Sequence, residues 1–204
     1  MKLRNILLLM VVGISLFKAY EKIRTQRLER EYRDILSSVV FGSEPKQTNT
    51  SVKSFDFKGY GIKPLADFAI RARILSRKNY YLGRESELSP LDLALGWKRM
   101  ADPAVYKQLR ITQGSRCYFY SCSNQPPIPL QEIAESSANM HLIPASSQIK
   151  FLLNQAKKGR FVKIKGALVE ISSEDGWRWG SSTSRSDTGQ GACEVVFVEA
   201  VGLE

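Results

Sequence analysis

From residue 137 to residue 201 the sequence orders a strand, a helix, a strand, a long loop and a strand, and that succession narrows the fold more than any other feature. In SANMHLIPA (137–145), Met140 and Leu142 alternate with Asn139 and His141, the pattern of a half-buried strand. Pro144 has no N–H to donate, which confines the far end to an edge or a terminus. Ser146 or Ser147 then caps a helix in which Ile149, Leu152, Leu153 and Ala156 recur at i, i+3, i+4 and i+7, and Gly159 ends it. In the strand 161–171, Val162 and Ile164 alternate with Lys163 and Lys165. Gly166 interrupts the pattern and predicts a bulge that moves Val169 and Ile171 onto the face of Val162 and Ile164. The last strand, CEVVFVEAV (193–201), is almost continuously apolar, so part of it is expected to be covered on both faces.

Upstream, residues 67–75 place Phe68, Ile70, Ala72 and Ile74 on one face and Asp67, Arg71 and Arg73 on the other. Arg71 and Arg73 form either a solvated outer stripe or part of an anion-binding surface. Ser89 and Pro90 read as an N-cap and first residue of a short helix, 91–95, stopped by Gly96. Asp102 and Pro103 repeat that signal before Val105, Tyr106 and Leu109. CYFYSC (117–122) reads as a strand, and NQPPIP (124–129) as an extended connection into a helix over 130–136. Three strands, one helix and two strands is the order of the OB-fold, a five-stranded Greek-key barrel. The fold class expected for residues 55–204 is therefore mainly β with short helices (α+β), an OB-like barrel.

Ahead of it, residues 6–17, ILLLMVVGISLF, form an apolar run behind Lys2 and Arg4. No A-x-A cleavage site follows, so residues 1–20 read as an uncleaved transmembrane signal anchor, with a cleaved signal peptide as the alternative. The run is shorter than the roughly 17–25 residues of a full span unless Lys18 and Lys22 snorkel to the headgroups. Six basic side chains (Lys18, Lys22, Arg24, Arg27, Arg30 and Arg33) follow it, which by count places the domain in the cytoplasm; the short basic N-terminus is the layout of an anchor whose domain lies outside. Residues 21–41 read as an amphipathic juxtamembrane helix, with Leu28, Tyr32, Ile35 or Leu36 and Val39 on one stripe. That stripe has three candidate partners: the domain, a second copy of the stalk in a homo-oligomer, or the membrane surface. Residues 42–54 are polar and lack a period, the composition of a linker.

The loop 172–192 holds the densest chemistry. As the connection between the last two strands of an OB barrel it belongs to the surface that binds oligonucleotides or oligosaccharides. Trp177 and Trp179 offer flat faces for stacking, and Arg178 and Arg185 offer forks for phosphate or carboxylate. The structural alternative has the tryptophans capping the barrel and Arg185 pairing with Asp187 to hold the loop. Candidate catalytic groups are few. Asp187 and Glu194 with Arg185 would compose a phosphodiesterase or nuclease site, with Glu170 nearby. His141, the single histidine, reads as a structural hydrogen-bonding group. Glu194 shares the face of Val196 and Val198, where a buried carboxylate needs a partner such as Arg178 or Arg185. Cys117, Cys122 and Cys193 have neither metal-site spacing nor an even count, and five extended residues separate the first two by roughly 16 Å, too far for a disulfide. No metal and no cofactor is expected.

Net charge does not choose a ligand. Eight of the thirty basic and four of the twenty acidic side chains lie through Asp34, which leaves the rest with twenty-two against sixteen. A moderately basic domain accepts an anionic glycan, lipid headgroups or nucleic acid.

The segments PLADFAIRARILSRKNYY, LSPLDLALGW, PPIP, SANMHLIPA, DGWRW, SSTSR and DTGQGACE, spread over residues 64–199 and about two thirds of the chain, resemble a family of bacterial single-span membrane-anchored proteins that carries no assigned activity. The resemblance implies an N-terminal span, a short linker and one globular domain facing the envelope, and brings no catalytic residue with it. This chain departs from the family in having Cys117 and Cys122 where aromatic residues are common, and in its longer basic stalk. The function expected is a binding or assembly module of the bacterial inner membrane, with its domain outside the cytoplasm. It would contact an envelope glycan, a lipid headgroup or a protein through the loop 172–192. A cytoplasmic domain would instead take nucleic acid.

Overall fold

The computed structural model describes residues 3–184 and 193–204. A long helix, α1 (Leu3–Ser37), leads into short strands β1 (Lys46–Thr48) and β2 (Phe55–Phe57) and then β3 (Tyr60–Asn79), the longest strand. There follow α2 (Arg84–Leu88), β4 (Leu91–Gly96), a 3-10 turn (Lys98–Ala101), α3 (Pro103–Tyr106), β5 (Arg110–Gly114), β6 (Cys117–Ser121) and α4 (Leu130–Glu135). The chain closes with β7 (Ser137–Pro144), α5 (Ser147–Asn154), β8 (Phe161–Ser172), β9 (Arg178–Gly180) and β10 (Glu194–Leu203). The architecture is mixed α+β: one large sheet, a separate β5–β6 hairpin and few helices.

Along one edge β3 pairs in turn with β2, β1 and β4, and along the other with β8. From β4 the pairing runs to β7, β10 and β8, and so back to β3. Of these contacts only β7 with β10 is parallel, as a ring of five strands requires, because up and down cannot alternate around an odd number. Ser146 caps α5, its Oγ accepting from the Ile149 N–H at 3.2 Å.

Apolar side chains from both faces of these strands are buried. Phe68, Ile70, Leu93, Met140, Ile164 and Val198 belong to one cluster, and Ile143, Val169, Ile171, Val195 and Phe197 to a second. A register shift at Leu65 turns β3 over, so Ile62 joins the second cluster while Phe68 joins the first.

Several sequence expectations change here. Residues 91–95 form a strand, not a helix. Leu91, Leu93 and Leu95 alternate with Asp92 and Ala94, and pairing with β3 and β7 outweighs the Ser-Pro helix signal. β4 therefore takes the place expected of 117–122, which forms β6 in the hairpin off the large sheet. Gly166 makes no bulge in its own strand: Val169 and Ile171 face away from Val162 and Ile164. The irregularity lies opposite, between Val198 and Ala200, and Gly166 is needed because a Cβ there would stand 1.9 Å from the Phe197 carbonyl oxygen. The segment 42–54 is not wholly linker, since β1 pairs with β3 from Lys46↔Ala69 to Thr48↔Asp67.

The proposed anchor and stalk are one continuous helix. Among the described residues no helix is long and apolar enough to cross a membrane, so the expected transmembrane span has no support from α1. The apolar side chains between Leu7 and Phe17 are exposed. Farther along, Leu28 and Leu36 are buried on the domain with Tyr32 packed beside them, and Gly202 gives Leu36 the room to approach β10. Burying Leu28 and Leu36 contributes roughly 2 kcal/mol each, so the domain itself takes up the stalk's apolar stripe.

Candidate functional site

Alternation turns Leu91, Leu93 and Leu95 into the first cluster and sends Asp92 to the opposite face, where β7 brings Asn139 and His141 beside it. Asp92 is fully buried, as is nearly all of His141. His141 Nδ1 lies 2.9 Å from Asp92 Oδ2, but no acceptor is aligned with that nitrogen, so the contact is electrostatic more than a directed hydrogen bond. Asn139 Nδ2 donates to Asp92 Oδ2 at 3.3 Å and to the Arg116 carbonyl at 2.9 Å.

The β5–β6 hairpin lays Arg116 across this face. Its two-residue turn, Ser115 (φ 48) and Arg116 (φ 63), has the left-handed backbone a tight hairpin needs without the glycine or asparagine that usually supplies it. The strain is offset by contacts. Arg116 Nη1 donates to Asp92 Oδ1 at 2.7 Å, its backbone N–H donates to the Tyr80 hydroxyl, and its guanidinium lies 3.9 Å over the Tyr80 ring. Gln113 Nε2 bonds Asn139 Oδ1 at 2.7 Å, fixing the hairpin a second time.

β9, paired with the end of β8 through Trp179↔Ile171, sets the tryptophans over the same surface. The Trp179 ring lies 5.1 Å from His141 and 6.3 Å from Trp177, and Trp177 packs edge-on against Tyr60. Both are half-buried and keep part of their surface in solvent. Arg84 stands 5.4 Å from the Trp177 ring and donates to the two Asp175 carboxylate oxygens through Nη1 and Nη2. Hydrogen bonds from Arg84, from the Ser173 hydroxyl and from the Trp177 N–H hold the Asp175 carboxyl well below the usual carboxylate range.

The sequence candidates separate. Trp177 and Trp179 belong to the cluster; Arg178, between them, is exposed. Arg71 and Arg73 sit at the far end of β8, opposite Lys163 and Phe161, roughly 25–30 Å from Trp179 along the strand. There they sandwich the Phe161 ring, Arg71 pairs with Glu204 at 2.6 Å, and Arg73 donates to the Ala101 and Gly159 carbonyls. Glu194 is buried at the start of β10 beside Met140. Arg185 and Asp187 lie outside the described residues. Glu170 stands 3.7 Å from Lys63.

Asp92, Arg116, Tyr80 and Arg84 were not foreseen. Asp92 had a signal, the alternation Leu-Asp-Leu-Ala-Leu, which the helix reading hid; Arg116 had none, because only the hairpin's placement reveals it. Cys193 approaches the Arg116 carbonyl, but burial, and after it the nearby Cys117 and Glu194, pushes its thiol up to about 12. It stays protonated near neutral pH and is no nucleophile for His141 to activate. All three cysteines are free. Among the described residues no group of three or more His, Cys, Asp or Glu is placed to hold a metal ion. The arrangement offers a solvent-facing aromatic surface backed by a rigid, charge-paired polar layer.

Comparison with known proteins finds no matching family model, no matching curated protein and no matching solved structure.

Proposed function

We propose that the chain is a membrane-tethered OB-like binding module of the bacterial envelope that holds a glycan against Trp177 and Trp179. The cyclic pairing β3-β4-β7-β10-β8 supports the OB-like reading: taken as strands one to five, these pair in the order 1-2-3-5-4-1, with α5 between the third and fourth. In that fold the ligand surface is the face of strands two and three with the loops 1–2 and 4–5. Asp92 and His141, Arg84 and the two tryptophans occupy those places.

The observation that carries the ligand class is the half-exposed Trp177–Trp179 pair beside arginines that already have acidic partners. Arg84 is paired with Asp175 and Arg116 with Asp92, so among the described residues these two arginines offer little free positive charge to a polyphosphate, and Arg178 is the exposed cation between the tryptophans. An uncharged or weakly charged sugar chain, stacked by its C–H faces on the indoles, fits better than nucleic acid. The tether is the exposed apolar N-terminal third of α1, since a helical segment apolar on every side belongs in an apolar medium. The domain is placed outside the cytoplasm in this reading, where envelope glycan is met.

In-cell crosslinking followed by isolation of peptidoglycan sacculi tests ligand and side together. The wild-type chain is expected to be retained on the sacculi, and Trp177→Ala/Trp179→Ala to lose at least about tenfold of that retention at unchanged expression. Equal retention of the two, or none of the wild type, would sink the proposal.

A further inference from the structure

A groove of about 540 Å³ lies where α1 meets the domain, and its position and charge point to a ligand of its own. Its α1 wall carries Lys18 and Lys22, one helical turn apart, and its domain wall carries Lys157 and Arg160. Lys18 directly follows Phe17, the last residue of the apolar run, so the groove opens where the exposed arm ends. Among the described residues Lys18, Lys22 and Lys157 form no ion pair, while Arg160 Nε donates to the Glu204 main-chain oxygen at 2.7 Å and keeps its other guanidinium nitrogens for a ligand. Of the acidic groups lining the groove, Glu204 is already engaged by Lys163 at 2.7 Å and Arg71 at 2.6 Å, which leaves Glu21 alone to oppose them.

We infer that this groove seats the phosphodiester headgroup of an anionic phospholipid, an inference that rests on the membrane reading of the apolar arm. The twelve apolar residues of the arm reach about 18 Å as a helix, well short of the roughly 30 Å hydrocarbon core. An anchor that short gains from a second attachment, and basic side chains at an anionic surface supply one. Continuity between arm and groove orients the domain: the loop 155–160 faces the headgroups, and the Trp177–Trp179 surface, at the other end of β8, is left free.

The test dilutes the full chain from detergent into vesicles and reads partition by flotation. Vesicles of phosphatidylcholine with roughly a third phosphatidylglycerol are expected to bind it about tenfold better than phosphatidylcholine alone. Lys22→Glu/Lys157→Glu should abolish that preference while still floating on phosphatidylcholine. Lys107→Glu/Arg110→Glu, the same charge change on exposed residues that do not line the groove, should keep it. Equal partition of the wild type, or a preference that survives Lys22→Glu/Lys157→Glu, overturns the headgroup site. Failure of the wild type to float on either vesicle overturns the membrane reading of the arm, and the inference with it.

Discussion

Asp92→Ala is expected to lower the unfolding free energy by about 3 kcal/mol, read from chemical denaturation of the full chain in detergent. The carboxylate is fully buried, is the counter-charge for Arg116, whose side chain is only 19% exposed, and lies 2.9 Å from Nδ1 of the nearly inaccessible His141. Removing it leaves a guanidinium inside the protein without its partner, and that orphaned charge costs more than the lost contact itself. Arg116→Ala should remove part of the same interaction, so the double variant should fall short of the summed single costs by about 2 kcal/mol. The damage should also be local first. The β5–β6 hairpin is fixed through Arg116 and Gln113, so its amide protection should fall before that of β3 and β8. Additive costs, or a hairpin as protected as in the wild type, would mean that the Asp92 cluster does not hold it down.

Gly166→Ala is expected to cost about 3 kcal/mol, at the top of the range for overpacked positions. The added Cβ would stand 1.9 Å from the Phe197 carbonyl oxygen, 3.0 Å from its carbon and 3.2 Å from the Val198 Cα. All three are backbone atoms of the paired strand, so no rotamer change relieves the clash and β8 must part from β10. Gly180→Ala is the matched control, because its Cβ would meet only the Glu170 side chain at 3.8 Å, an ordinary contact. It should change stability by no more than about 0.5 kcal/mol. Similar melting temperatures for the two variants would show that β8 and β10 can separate at Gly166 without penalty.

The sequence carried the order of elements better than their identities. Strand, helix and strand over 137–171 could be read because each had a clean period and a cap or a glycine at its end. Residues 91–95 misled because Ser-Pro is a local helix signal while a strand's reason for being there, pairing with β3 and β7, lies far off in sequence. That one misreading also hid the site. With 91–95 taken as a helix, Asp92 had no face in common with His141, and His141 looked solitary. Trp177 and Trp179 stood out by composition alone, whereas Arg71 and Arg73 were set apart from them only by the length of β8, which composition does not reveal. Alternation grouped His141 with Asn139, and both reach Asp92. Gly166 was recognised as exceptional, but the reason, a neighbouring backbone pressed against it, belongs to the strand opposite.

The most direct measurement is a titration of the full chain in detergent micelles, labelled with ¹⁵N-tryptophan, with soluble oligosaccharides of the peptidoglycan backbone. The chain has three tryptophans, and the buried Trp97 is an internal reference for the two half-exposed ones. A glycan held on the β4–β7 face should shift the indole N–H resonances of Trp177 and Trp179 in a saturable way and leave Trp97 unmoved. Indole resonances that stay in place at saturating oligosaccharide, or that move only for Trp97, would contradict a glycan site on that surface.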